Sequence, residues 1–127
     1  MHMARSGIAP SIVIDNKNLS PHNAARHALL PEAINKDSTW FGSKARALAL
    51  AINGLGQDSS YFDADVTQAV HDSKLLKKLF PRKAWAVINT PASLAVREAL
   101  AAIEPKKLPL RVIATSLFAE GKVGLMT

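Results

Sequence analysis

A chain of 127 residues, 48% hydrophobic and 20% charged, has the size and composition of one globular domain, which excludes a wholly disordered or fibrous polypeptide. The absence of cysteine excludes a disulfide framework and a thiolate metal site, and it points to a reducing, cytoplasmic setting. The formal net charge of +6 favours anionic partners, whereas the longest strongly apolar helical run, Ala47 to Ile52, is far short of the ~20 residues a membrane-crossing helix needs.

Met1, His2 and Met3 read as a vector-derived leader with a native start at Met3, ahead of a single domain over residues 4–127. Ser11 to Asp15 is short and β-branched and is followed by Asn16, Lys17 and Asn18, which predicts a first strand ending in a turn. Ser20 and Pro21 then supply an N-cap and a first-turn proline for a helix through Leu30, stopped by Pro31. A second helix is expected from Ser43 to Asn53, with Ala45, Leu48, Ala49 and Ile52 on its inner face and Gly54 beyond it.

A third helix is expected from an Asp63 N-cap to Phe80, burying Val66, Ala69, Val70, Ser73, Leu76 and Phe80. Ala84 to Asn89 turns apolar and β-prone and predicts a central strand, in which Trp85 is expected in the core. Thr90 and Pro91 open a helix to Glu104 with Val96, Leu100 and Ile103 inward. Leu110 to Leu117 reads as a strand, residues 119–122 as a hairpin turn, and Val123 to Met126 as the returning strand. The expected order is β-ααα-β-α-ββ, an α+β protein with a C-terminal hairpin and no internal repeat.

Charge is concentrated in one third of the chain. Residues 73–112 hold Lys74, Lys77, Lys78, Arg82, Lys83, Arg97, Lys106, Lys107 and Arg111 against Glu98 and Glu104, a net of +7, while the rest of the chain is at −1. Two basic clusters emerge, one on the third helix and the loop after it, the other at Lys106, Lys107 and Arg111. If they share a face they form a phosphate-contacting surface, beside which Trp85 is a candidate for stacking on a base. The helix dipole alone accounts for Lys74, Lys77 and Lys78 near a helix C-terminus, and a solvated basic face serving solubility accounts for the rest.

Arg97 on a helix followed by a basic-rimmed hairpin suggests a winged-helix arrangement. Val96-Arg97-Glu98-Ala99-Leu100 resembles the recognition helix of GntR-type winged-helix regulators. A helix-turn-helix also requires a helix just before the recognition helix, and this sequence has a predicted strand there. The chain is therefore not assigned to that family.

Catalytic chemistry has thin support. His22 and His27, five apart, point away from each other on a helix and His71 is distant, so no histidine metal site is expected. His22 and Arg26 share a face and could add to an anion site. Asp63, Asp65 and the triplet Glu120-Gly121-Lys122 carry the residue types of a Mg²⁺-dependent nuclease, and Glu120-Gly121-Lys122 resembles the last element of the PD-(D/E)xK nucleases, although it falls in a predicted turn. The serines lack nucleophile-elbow glycines, and Gly54-Leu55-Gly56 and Gly42-Ser43-Lys44 lack the spacing of a phosphate loop. The leading expectation is a small nonenzymatic nucleic-acid-binding or regulatory protein without cofactor or metal. The alternative is an adaptor or inhibitor, able to act as a homodimer, that docks an acidic protein; a nuclease stands third.

Overall fold

A computed structural model describes residues 2–19, 42–90, 93–118 and 123–127. Helices and strands are interspersed along it, so the protein is α+β. The residues gather into two compact units, Met1–Asp65 and Val66–Thr127.

The first unit starts with one helical turn, α1 (His2–Arg5), whose Ala4 is buried and whose Ala4 carbonyl accepts a hydrogen bond from the Gln57 side chain. β1 (Ile12–Ile14) follows, built from three β-branched residues that suit a pleated, half-buried surface. A short antiparallel bridge joins β2 (Asn18–Leu19) to β3 (Gly42–Ser43) and buries Leu19. Ser43 then caps α2 (Lys44–Asn53), its Oγ accepting from the Arg46 amide at 3.0 Å. Ala45, Ala49 and Ile52 are the buried face of α2, and the small alanines let its backbone approach the strands it packs on, β1 and β4 (Ser60–Phe62).

α2 ends in a turn where Gly56 takes φ +75°, a left-handed conformation that a side chain would strain. Asn53 fixes the return. Its Oδ1 accepts from the Ser59 amide at 2.7 Å, and its Nδ2 donates to the Ser59 carbonyl at 3.2 Å. β4 then pairs in parallel with β1, in the register Ile12 with Ser60 and Ile14 with Phe62.

In the second unit, α3 (Val66–Ala69) and α4 (Ser73–Leu79) lie either side of Asp72. A turn follows, closed by the Ala84 amide on the Pro81 carbonyl at 2.9 Å, and leads into β5 (Ala86–Asn89). α5 (Leu94–Ala101) carries the chain over to β6 (Arg111–Phe118), which lies parallel to β5 and antiparallel to β7 (Val123–Met126). β6 is thus the middle strand of the sheet β5-β6-β7. Among the described residues of this unit, Ala69, Leu76, Leu79, Phe80, Leu100 and Leu108 are the buried apolar ones.

Several expectations change. The stretch read as one helix from Asp63 to Phe80 is a three-residue loop, Asp63 to Asp65, followed by two helices. Its front is the exit from β4: Asp63 accepts from the Ser43 hydroxyl and Asp65 from Asn16 Nδ2, so both acids are held in the loop. Its middle is broken by Asp72, whose Oδ1 accepts from the amides of Lys74 at 2.8 Å and Leu75 at 3.2 Å and so starts a new helix. Replacing Asp72 by Ala orphans those two donors and is expected to cost about 0.5–2 kcal/mol, read as a lower urea midpoint with an unchanged slope.

The strand at Ala84 to Asn89 exists but flanks β6 instead of lying at the sheet's centre, and Trp85, expected in the core, is 74% exposed. The helix expected from Thr90 begins at Leu94 after Ser93, and ends at Ala101. α5 also follows a strand, β5, and leads into a parallel partner of it, so the winged-helix arrangement is not built. The first predicted helix, Ser20 to Leu30, and the hairpin turn at 119–122 lie outside the described residues. β6 and β7 nevertheless pair in the antiparallel sense of a hairpin, Phe118 opposite Val123.

Candidate functional site

Two cations from each basic cluster meet in the second unit. Ser73, Leu76, Lys77 and Phe80 recur at the spacing of one helical face, so α4 presents them as a single stripe. Leu76 and Phe80 are buried at its base while Lys77 is exposed. Pro81 ends the helix and turns the chain, placing Arg82 at the end of that stripe.

The opposing wall comes from the segment after α5. There the amides of Lys107 and Leu108 both donate to the Glu104 carbonyl, at 2.8 and 3.2 Å, and wind residues 104–108 into a tight turn. Leu108 is buried and pins the turn, which leaves Lys106 and Lys107 exposed at its crest.

Between these walls lies a groove of about 490 Å³ lined by Ser73, Leu76, Lys77, Phe80, Pro81, Arg82, Lys106 and Lys107. Four cations from two sequence clusters therefore surround an apolar floor. At the rim Glu104 meets Lys107, its Oε1 lying 3.4 Å from Lys107 Nζ. Both side chains are well exposed, so this i,i+3 pair is worth at most about 1 kcal/mol and holds Lys107 only weakly. Because the carboxylate still opposes an incoming anion, Glu104→Gln is expected to tighten binding of an oligonucleotide by roughly two- to five-fold, measured by titration at low salt.

The remaining sequence candidates are distributed differently. Lys74 and Lys78 are exposed on α4 but do not line the groove, and neither does Lys83, exposed in the turn after Arg82. Arg111 is exposed at the start of β6, opposite Ala86. Arg97 belongs to a second, smaller hollow of about 270 Å³, where Arg97, Leu100 and Ala101 of α5 face Val112 and Ala114 of β6, with Asn89 and Thr127 completing the lining. Asn89 is the buried polar residue of this unit's described part; Thr115 Oγ1 donates to its carbonyl at 3.4 Å. Trp85 follows the groove's rim by three residues and stands in solvent.

The carboxylates have structural partners in the first unit. Asp63 accepts from the Ser43 hydroxyl, which ties the end of β4 to the cap of α2. Asp65 accepts from Asn16 Nδ2 at 3.2 Å, and Asp15 from the Lys17 amide at 2.8 Å. The Asp15 amide also donates to the Phe62 carbonyl, so these acids gather at the carboxyl ends of the parallel pair β1 and β4. The sequence reading missed Asp15 in that group and placed Asp63 and Asp65 at a helix start; the signal it lacked was the pairing of two strands nearly fifty residues apart. Among the described residues no group of three or more His, Asp or Glu could hold a metal ion. His71 is exposed in the turn between α3 and α4, while His22, Arg26, His27, Glu120 and Lys122 lie outside the described residues.

Among the described residues no helix is long and apolar enough to cross a membrane. No protein-family model, no curated protein and no solved structure matches this chain.

Proposed function

We propose that the protein is a small nucleic-acid-binding or regulatory protein whose second unit captures phosphates in the groove between α4 and the turn at residues 104–108. One observation carries the reading: Lys77 and Arg82 face the same cavity as Lys106 and Lys107, although about 25–30 residues separate the two pairs. Random surface charge has no reason to converge, and like charges crowded around one hollow repel unless an anion sits among them. The mechanism is electrostatic capture with release of counterions, to which Lys74, Lys78, Lys83 and Arg111 add from the surrounding surface.

Binding to a fluorescent duplex and to a single strand across a salt series tests this. A slope of log affinity against log salt near −4 to −5 on duplex corresponds to roughly five phosphate contacts at ~0.9 ions each. No binding at low salt rejects the reading.

A second reading is favoured by the groove's floor. Leu76, Phe80 and Pro81 supply apolar surface under the cations, which also suits an acidic protein segment that buries a hydrophobic side chain. Saturable binding to one acidic protein, together with no affinity for either nucleic acid, selects that alternative. The nuclease reading draws no support from the groove, which holds no carboxylate in its lining.

A further inference from the structure

We infer, resting on the phosphate-binding reading above, that the groove takes single-stranded nucleic acid in preference to duplex, seating a base over Pro81 and the exposed edges of Leu76 and Phe80 while Lys77, Arg82, Lys106 and Lys107 hold the phosphates on either side.

The groove's shape is the first argument. A duplex is a convex rod that hides its base faces and offers only its phosphates and groove edges to a protein. A surface built for that needs a basic face and gains nothing from an apolar hollow. This groove of about 490 Å³ is open to solvent on one side, and its floor is Pro81 with the small exposed edges of Leu76 and Phe80, which are otherwise buried. Single strands expose exactly what such a floor recognises: the apolar π-face of a base, flanked by charge at every linkage.

Charge placement is the second. Two cations stand on the α4 side and two on the turn side, so a strand crossing the groove meets a positive group before and after the base it leaves inside. Lys106 and Lys107 are adjacent, and Lys107 is only loosely engaged by Glu104, so both can follow a flexible backbone.

Trp85 is the third. Exposing 74% of a tryptophan costs apolar surface that folding ordinarily buries, and this one sits where the turn closed by Ala84 and Pro81 hands the chain to β5, three residues beyond Arg82. An exposed indole three residues along the chain from a groove cation is within reach of a strand that leaves the groove, and it offers a platform for a second base.

The experiment compares three fluorescent probes at one salt concentration: a single strand, the same strand annealed to its complement, and an abasic strand with the same number of phosphates. The single strand is expected to bind at least about ten-fold more tightly than either of the others. Trp85→Ala should weaken single-strand binding by roughly five- to a hundred-fold, Trp85→Phe should restore most of it, and neither should alter the abasic strand. Because Trp85 is so exposed, both variants are expected to keep the parent's unfolding midpoint, which is measured alongside.

Equal affinity for all three probes, with a steep salt slope, overturns the base-seating inference and leaves phosphate capture standing. A Trp85→Ala variant that binds the single strand as the parent does overturns the part given to Trp85. Failure of every probe to bind at low salt overturns both, and an acidic peptide that binds where the strands do not assigns the floor to a protein partner.

Discussion

Replacing Lys77, Arg82, Lys106 and Lys107 together by glutamine is expected to lower affinity for an oligonucleotide at about 0.1 M salt by roughly a hundred- to a thousand-fold, and to flatten the salt dependence by about three to four units of slope. Each lysine or arginine on a phosphate releases ~0.7–0.9 counterion, so four lost contacts remove nearly the whole slope expected from the groove. Glutamine keeps much of the length of the side chains and their capacity to hydrogen-bond, which confines the change to charge. All four residues are exposed, so stability should move by less than about 1 kcal/mol. A companion variant with Lys74, Lys78, Lys83 and Arg111 changed to glutamine carries the same loss of charge but spares the groove. It should weaken binding far less. Equal losses in the two variants would mean that net charge alone attracts the ligand and that the groove has no special part in it.

That pair of variants separates what the sequence could say from what required the fold. The excess of charge between residues 73 and 112 is visible in one dimension, and so are the elements that carry it. Ser43 before α2, Pro81 after α4 and the apolar, β-branched runs of β5 and β6 are local signals, and local signals survive folding. Convergence is not local. Lys106 reaches the groove only because Leu108 is buried and the Glu104 carbonyl gathers two amides, neither of which a pattern of charges reveals. The missed strand β4 has the same cause: three residues, Ser60 to Phe62, make a strand only in the presence of β1, and without that partner a stretch so short carries no pattern of its own.

Asp72 and Trp85 teach the opposite lesson, since both are legible once the competing signal is weighed. The apolar stripe from Val66 to Phe80 is continuous at helical spacing, yet Asp-Ser in its middle is a strong helix start, and a seven-residue helix capped by Asp72 satisfies backbone donors that a through-running helix would have satisfied anyway. The cap wins because its side chain bonds two amides and the chain can re-aim after it. That re-aiming matters for function. It fixes α4 as a separate rod whose stripe of Ser73, Leu76, Lys77 and Phe80 ends at the groove. Trp85 stands in an apolar run but outside β5, one residue before the ladder begins, where no strand pairing commits it to the sheet.

Leu79→Ala is the second large effect, and it acts on the same helix by a different force. Leu79 is 2% exposed and is one of the two largest fully buried side chains in the described chain, so truncation removes packed methyl groups and leaves a cavity. The expected cost is about 2–5 kcal/mol, seen as a urea midpoint lowered by more than about 1 M at unchanged slope. Its neighbours on α4 set the contrast: Lys77 and Lys78 point to solvent while Leu76 and Leu79 anchor the rod from which they project. Binding by Leu79→Ala should therefore fall only in proportion to the unfolded fraction, and the salt slope of the molecules that remain folded should match the parent. The fourfold glutamine variant predicts the mirror image, full stability with the slope lost. If Leu79→Ala were to flatten the salt slope while still fully folded, the cations on α4 would owe their position to packing at Leu79 itself, and the groove would have to be regarded as a deformable site whose affinity is set by how firmly the helix is held.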